Sequence, residues 1–504
     1  SSWVRVEGKI SPDAVQQPGF ELLWTIRVEA EATRAPAVTP PVLLDLVIGY
    51  RWFRALEFVA GRLDHVLAID SDLGGIEWER RLTAPATSSR APACAASVPL
   101  NLARPTSAAL PPVVVGYGGG RMGVPARGAV GTAGEGAVTL TPAAAHGGNA
   151  APAPPGPPAP PAVLKPAAQR SSLRPFPIVY ALSSTGMLHT LNVVNGADAE
   201  PPLAFLPPHA IARGLIVVDD IAYVATGRGC GAAPDGVWAL DLDSRQVATW
   251  HSAGAIAGSV GPAIGPDGTL YVATTHGELV TLAPRTLKAK NVSRSGGVPF
   301  ASSPVLFEHR GRMLVAASTR DGRIHVLDSR DLADVTGAVI SASGLAGGTL
   351  ASWVAPDGTR WLLAAAAGPV LTDAGFALRG GAVTHGAIVA WRVVEQNGAP
   401  ALEPGWVSRD MIAPLGPVVI RGVVFAVASG AARPTERQRP NTAPAERSSP
   451  AILYALDGAT GRELWSSGIT LTAGVRGGLS GGGSEVYVGA DDGTLYAFGF
   501  PMEH

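Results

Sequence analysis

Short apolar runs of about five residues, broken by Gly, Pro, Asp and Asn roughly every ten positions, fill much of the chain. That spacing is the mark of an all-β protein. In GPAIGPDGTLYVATTHGELVTL (261–282) and ASWVAPDGTRWLLAAA (351–366) a P-D-G triplet separates two apolar runs. Asp-Gly suits the positive φ values that a two-residue hairpin needs, so both read as β-hairpins. SSPVLFEHRGRMLVAASTRDGRIHVLD (302–328) and GGLSGGGSEVYVGADDGTLYAF (477–498) repeat the order strand, turn, strand, turn, strand.

A longer pattern overlies this one. An apolar strand ends in a small residue, an apolar residue and often Asp, and a Trp often lies eight or nine residues beyond. The sharpest copy is ILYALDGATGRELW (452–465), followed by VLAIDSDLGGIEW (66–78) and VWALDLDSRQVATW (237–250). Weaker copies are LHTLNVVNGAD (188–198), ELVTLAPRTL (278–287), RIHVLDSRDL (323–332), AIVAWRVVEQNG (387–398) and LYAFGF (495–500). The shorter spacings are 42 residues from Ala239 to Thr281, 45 from Thr281 to Val326 and 42 from Ala455 to Ala497. That is the length of a four-stranded propeller blade.

Eight copies predict an eight-bladed β-propeller, with seven blades as the alternative. The expected blades are 40–82, 108–206, 207–253, 254–296, 297–340, 341–410, 411–468, and 469–500 with 18–30, all in one domain spanning 1–504. The last copy lacks an outer strand. FELLWTIRVEA (20–30), with Trp24 echoing Trp465, is expected to supply it and close the ring. Closure removes the exposed sheet edges on which chains aggregate.

The motif residues have structural work. Asp70, Asp241, Asp328 and Asp457 are placed to accept backbone N–H groups in the following turn. Gly461 supplies a backbone conformation that other residues resist. Trp78, Trp250 and Trp465 are expected to wedge between neighbouring blades, where a buried indole contributes a few kcal/mol.

Composition narrows the partners. Of 504 residues, 62 are Gly and 44 Pro, which argues against a helix-rich fold. Basic and acidic residues number 39 and 40, so no net charge draws the chain to nucleic acid or anionic lipid. The longest apolar run, WLLAAAAGPVL (361–371), is too short to span a bilayer. Lysine occurs only at Lys9, Lys165, Lys288 and Lys290, which with the Ala, Pro and Gly richness suggests a high-GC bacterial genome. The chain opens SSWVRVEGKI, without Met or a signal segment, as expected of a removed leader or a trimmed start.

The A-x-D…T-G…W pattern of YALDGATGRELW resembles the repeat of quinoprotein (PQQ) dehydrogenases and of related non-enzymatic propellers such as the outer-membrane assembly lipoprotein. The resemblance covers about 40–82 and 175–500. It implies an eight-bladed, extracytoplasmic propeller. The enzymes of that family carry adjacent paired cysteines near the cofactor, calcium ligands including Glu and Asn, and a catalytic Asp. Cys94 and Cys230 are far apart in this sequence.

Insertions point to a working face. In such blades the second-to-third-strand hairpins and the blade-to-blade links share one face. Residues 83–107, 226–236, 367–386 and 428–450 all fall there, and loops on a rigid scaffold carry function. Cys94 and Cys230 lie on this face, where a disulfide between them is expected. Asp235, His276, Asp321, His385 and Asp492 occupy one turn position on it. They are read as turn residues, the alternative being a ring of metal-capable side chains. His189 and His325 read as packing residues. The Gly/Pro-rich insertion 118–174 in blade two falls on the opposite face, either a strut against a partner or a mobile loop.

The expected function is a non-catalytic scaffold or protein-interaction subunit of an extracytoplasmic assembly, in the periplasm or at the cell surface. It would have protein partners, no cofactor, no metal and no catalytic residues. The alternative is an alcohol or sugar dehydrogenase using PQQ and calcium. A third reading is polysaccharide or peptidoglycan binding.

Overall fold

The computed structural model describes residues 3–4, 8–28, 38–48, 53–61, 64–83, 98–102, 178–227, 229–335, 339–340, 345, 348–370, 375–430, 449–482 and 484–501. Cys94, the insertion 118–174 and most of 83–107 and 428–450 lie outside the described residues.

Eight four-stranded antiparallel units form the blades of a β-propeller, seven of them from four sequential strands. Blade 1 comprises Val42–Ile48, Phe53–Ala60, His65–Asp70 and Ile76–Arg81, and blade 2 Leu100–Leu102, Ile178–Leu182, Met187–Asn192 and Asp198–Ala204. Blade 3 holds Ile211–Val218, Ile221–Gly227, Gly236–Asp241 and Val247–His251, and blade 4 Ala263–Ile264, Leu270–Ala273, Glu278–Leu282 and Ala289–Arg294. Blade 5 has Val305–His309, Arg312–Ser318, Arg323–Asp328 and Val339–Ile340, and blade 6 Ala351–Val354, Arg360–Ala366, Ala387–Gln396 and Ala399–Val407. Blade 7 has Val418–Ile420, Val423–Ala428, Ile452–Asp457 and Glu463–Ser466, and blade 8 Leu479–Gly482, Glu485–Gly489 and Thr494–Gly499. Blade 2 therefore starts at Leu100, ahead of the boundary expected at 108.

The fourth strand of blade 8 is Glu21–Arg27, antiparallel to Thr494–Gly499 with Trp24 opposite Ala497. The N-terminal strand thus closes the ring. First strands of neighbouring blades touch around the axis, and Leu479–Gly482 meets Val42–Ile48 across the closing seam.

Packing follows from this radial arrangement. A blade's two faces are both covered by neighbours, so its second strand is buried at every position, as in Ile221–Gly227. The outermost strand meets solvent, and Val247–His251 alternates exposed with half-buried residues. The apolar clusters accordingly lie between blades. Phe425 of blade 7 and Phe498 of blade 8 share one, which Ile10, Val15 and Phe20 of the N-terminal segment complete.

The tryptophans join the blades. Trp24, Trp78, Trp406 and Trp465 each stand directly across from an alanine of the third strand: Ala497, Ala68, Ala390 and Ala455. Trp24 donates its indole N–H to Ser71 O (2.7 Å), Trp78 to Val193 O (2.8 Å) and Trp406 to Gly458 O (3.0 Å), each in the next blade's third-to-fourth turn. Trp465 instead meets Phe20 and Phe498, at ring-centroid separations of 5.0 and 5.6 Å. Trp250 is paired two residues away from the motif's Ala239, with Val237, and packs on the cluster between blades 3 and 4.

The motif aspartates cap their turns. Asp70 Oδ1 accepts the N–H groups of Asp72 and Leu73, Asp241 Oδ1 those of Asp243 and Ser244, and Asp457 Oδ1 those of Ala459 and Thr460. Asp328 Oδ1 accepts from Arg330 N–H. The P-D-G hairpins differ from the two-residue form expected. Only the glycines, Gly268 (φ 79°) and Gly358 (φ 84°), have positive φ. Asp267 and Asp357 instead accept the N–H of Thr269 and Thr359, so the aspartate is used for its side chain and not for its backbone.

Candidate functional site

All second-to-third-strand turns and blade-to-blade links share one face by the strand order. On it, His276, Asp321 and Asp492 occupy equivalent tight turns, each followed by a left-handed glycine: Gly277, Gly322 and Gly493. Asp321 Oδ1 accepts from Thr319 Oγ1 (2.6 Å), and Asp492 Oδ1 from Thr494 N–H (3.0 Å). Asp235 and His385 end longer loops, and the glycines after them are not left-handed. The five positions therefore do not share one geometry. Among the described residues, no group of three or more His, Cys, Asp or Glu is placed to hold an ion.

Asp410, in the link from blade 6 to blade 7, organises the long loop of blade 6. Its Oδ1 accepts the N–H groups of Thr384 (3.0 Å), His385 (2.8 Å) and Gly386 (3.3 Å). Its Oδ2 meets Thr384 Oγ1 (2.9 Å) and His385 Nδ1 (2.7 Å). Burial opposes ionisation here, but these hydrogen bonds outweigh it and hold the carboxyl well below the usual carboxylate range. The same loop folds back along its own blade, where Ala377–Leu378 pairs in parallel with Trp406 and Val407.

Asp64 does similar work between blades 1 and 2. It is buried, and it accepts from Ser184 N–H, Ser184 Oγ (both 2.6 Å) and Thr83 Oγ1 (2.5 Å). Cys230 is disulfide-bonded and sits between two left-handed glycines, Gly229 and Gly231. Arg409 lies over the Tyr454 ring at 5.0 Å and pairs with Glu463 at 2.8 Å. The packing expected of His189 takes the form of a buried ring whose Nδ1 lies 3.0 Å from Asp198, which Arg80 also engages. His325 packs edge-on against Phe300 at 5.6 Å.

The face also carries exposed apolar side chains. Ile469 is 95% exposed, the highest value among the described large hydrophobic residues. It sits at the tip of a tight turn closed by Thr470 N–H on Ser467 O (3.1 Å), between blades 7 and 8. Ile412, in the neighbouring link, is 44% exposed.

A buried acid lies away from these loops, in the closing seam. Glu57 is fully buried, and neither carboxylate oxygen has a hydrogen-bond partner. Burial, and then the charge of Glu485, push its pKa well above the usual range. Tyr487, whose hydroxyl donates to Glu485, is pushed up as well, by burial and then by Glu57 and Glu485.

Asp410, Asp64, Ile469 and Glu57 were not singled out by sequence. Trp406 was missed for a legible reason. The third-to-fourth hairpin of blade 6 is long, with strands of 10 and 9 residues, and carries the Trp beyond the eight- or nine-residue spacing of the other copies.

No family model and no curated protein matches the chain. Solved structures do. The chain is similar to quinohemoprotein alcohol dehydrogenase from Comamonas testosteroni, with 14% identity, a TM-score of 0.54, and coverage of 100% of this chain and 79% of that one. It is similar to a europium-containing methanol dehydrogenase, with 13% identity, a TM-score of 0.54, and coverage of 99% and 96%. It also matches BamB from Moraxella catarrhalis, with 12% identity, a TM-score of 0.46, and coverage of 96% and 99%. At these identities the likeness is one of fold, the eight-bladed propeller of the quinoprotein type.

Proposed function

We propose that this propeller is a non-catalytic scaffold, a protein-interaction subunit of a larger extracytoplasmic assembly, which docks partners on its loop-rich face. Ile469 carries the reading. An isoleucine presented on a hydrogen-bonded turn, with Ile412 exposed in the neighbouring link, suits an apolar pocket in a partner. The polar residues of that face support the same reading, because Asp410, Asp64 and Asp321 engage His385, Ser184 and Thr319 in bracing its loops. The disulfide at Cys230, for which Cys94 is the proposed partner, favours an oxidising compartment such as the periplasm or the cell surface. No helix of the described residues is long and apolar enough to cross a membrane.

The alternative is a PQQ- and calcium-dependent dehydrogenase. Among the described residues, no group of three or more His, Cys, Asp or Glu is placed to hold a cation.

The test is recovery of the native complex. A tagged chain is expected to bring down its partner, Ile469→Glu with Ile412→Glu to lose it, and Leu73→Glu, at an exposed turn of the opposite face, to keep it. Retention by the double variant would overturn the docking assignment. Bound quinone with alcohol-dependent dye reduction, after reconstitution with PQQ and calcium, would overturn the non-catalytic one.

A further inference from the structure

Glu57 braces no loop and caps no turn. It stands in the second strand of blade 1, opposite Leu43 and Ile69, which belong to the cluster that packs blade 1 against blade 8. Cross-strand partners share a sheet face, so the Glu57 side chain enters that seam. It is fully buried, and both its carboxylate oxygens lack a hydrogen-bond partner. Among the described residues, the one charge acting on it is the like charge of Glu485. A carboxyl taken out of water persists in a fold where it is paired, hydrogen-bonded or coordinated to a metal.

Blade 8 presents oxygen atoms from across the seam. Tyr487 belongs to the same cluster and donates its hydroxyl to Glu485, and the Ser71 side chain, in the last turn of blade 1, also bonds that hydroxyl. Ser480 stands opposite Tyr487 in the adjacent strand and so shares its face. It too is fully buried, and its Oγ has no partner. Two carboxyl groups and three hydroxyls thus face one seam, with Glu485, half-buried at the start of its strand, nearest to solvent. Trp24 of the closing strand covers them: its ring lies 6.0 Å from that of Tyr487, and its indole N–H is held by Ser71 O.

We propose that this group is a cation site, taking a divalent ion of the calcium class between the first blade and the last. The donors are all oxygen, which suits calcium or magnesium and not zinc or copper. Two carboxylates cancel the charge of a divalent ion. Calcium accepts an irregular shell, whereas magnesium demands a near-ideal octahedron. With two acidic side chains in place of three, the hydroxyls of Tyr487, Ser71 and Ser480 are needed to fill out the set. Free of the ion, Glu57 is kept as the uncharged acid by its burial, so proton and ion are alternative occupants. An ion held there ties blade 1 to blade 8 beside the strand that closes the ring. The site lies off the loop-rich face and depends neither on the docking reading nor on a quinone.

Calcium binding to the full chain, stripped of metal with EDTA, tests it. Calorimetric titration with calcium chloride alone at neutral pH is expected to show a single site of submillimolar affinity. Calcium at about 1 mM should raise the melting temperature by about 1 °C or more over the EDTA sample, and magnesium at the same concentration should not. Glu57→Gln, of nearly the same shape, should lose both the heat of binding and the thermal shift while melting no lower than the parent in EDTA. Glu485→Gln, at the half-buried end, should weaken binding about tenfold or more, and it carries the test if Glu57→Gln folds poorly. Asp357→Asn, in an exposed turn of blade 6, should bind as the parent does. No heat and no shift in the parent would overturn the site, as would binding that both glutamine variants retain. An equal response to magnesium would overturn the class of ion.

Discussion

Trp406 of blade 6 lies against the turn of blade 7 so closely that a Cβ added at Gly461 would stand 2.3 Å from its ring. Gly461 is also left-handed, with φ 74°, so both the sterics and the backbone require glycine there. Gly461→Ala is expected to lower thermal stability, by more than the ~1 kcal/mol of an ordinary glycine exchange. Trp406→Ala should cost about 3–5 kcal/mol, and Trp406→Phe, which keeps an aromatic ring but loses the N–H to Gly458 O, about 1–2 kcal/mol. Thermal and denaturant unfolding would read all three.

Glu57 sets a pH dependence of known sign. Its native pKa is raised, so above the ordinary carboxylate range the unfolded chain ionises while the folded chain keeps the proton. Stability therefore falls as pH rises, by up to about 1.4 kcal/mol per pH unit, until the native group also ionises. Glu485 and Tyr487 face the same seam. Glu57→Gln is expected to remove this slope: unchanged near pH 4, higher-melting than the parent at pH 8. Melting curves across that range check it.

Asp410 works in the opposite sense. Its native pKa is depressed, so its contribution is present above the ordinary carboxylate range and is lost as pH falls below about 4. Asp410→Ala leaves three backbone N–H groups and the Thr384 hydroxyl without their acceptor. We expect the loop 375–386 to become severalfold more sensitive to limited proteolysis at neutral pH, with a loss of about 1–2 kcal/mol in global stability.

The disulfide at Cys230 gives a covalent prediction. With Cys94 as partner, the unreduced chain should show no thiol to alkylating reagents and should gain two after reduction. Cys230→Ser should cost about 2–4 kcal/mol. Two reactive thiols in the native chain, counted by mass spectrometry, would refute the pairing.

The repeat was legible because each blade solves the same packing problem. Asp457, Asp241 and Asp70 accept turn N–H groups as their sequence positions implied. The alanine across from Trp78 and Trp465 was visible as the small residue of the motif. The same pairing of Trp406 with Ala390 was hidden, since cross-strand register is preserved when a hairpin lengthens but linear spacing is not. The turn position shared by Asp235, His276, Asp321, His385 and Asp492 was overread. Sequence places all five before a glycine, yet in only three is that glycine left-handed.

Glu57 marks the deeper limit. In FRALEFVA (53–60) Glu57 shares a strand face with the apolar Ala55 and Val59, and the sequence names no polar partner for it. Here the strand is the second of its blade and is covered on both sides, so the carboxyl has no water to turn to.

By itself the sequence determined the blade type, the eightfold repeat and the closing strand, because these rest on local periodicity and nearest-neighbour packing. Only the tertiary structure decided which polar side chains brace loops, where an apolar tip is left in water, and that Glu57 faces Glu485 across the closing seam. Those outcomes depend on the meeting of residues far apart in the chain, hundreds of positions in the case of Glu57 with Glu485, and no local pattern encodes them.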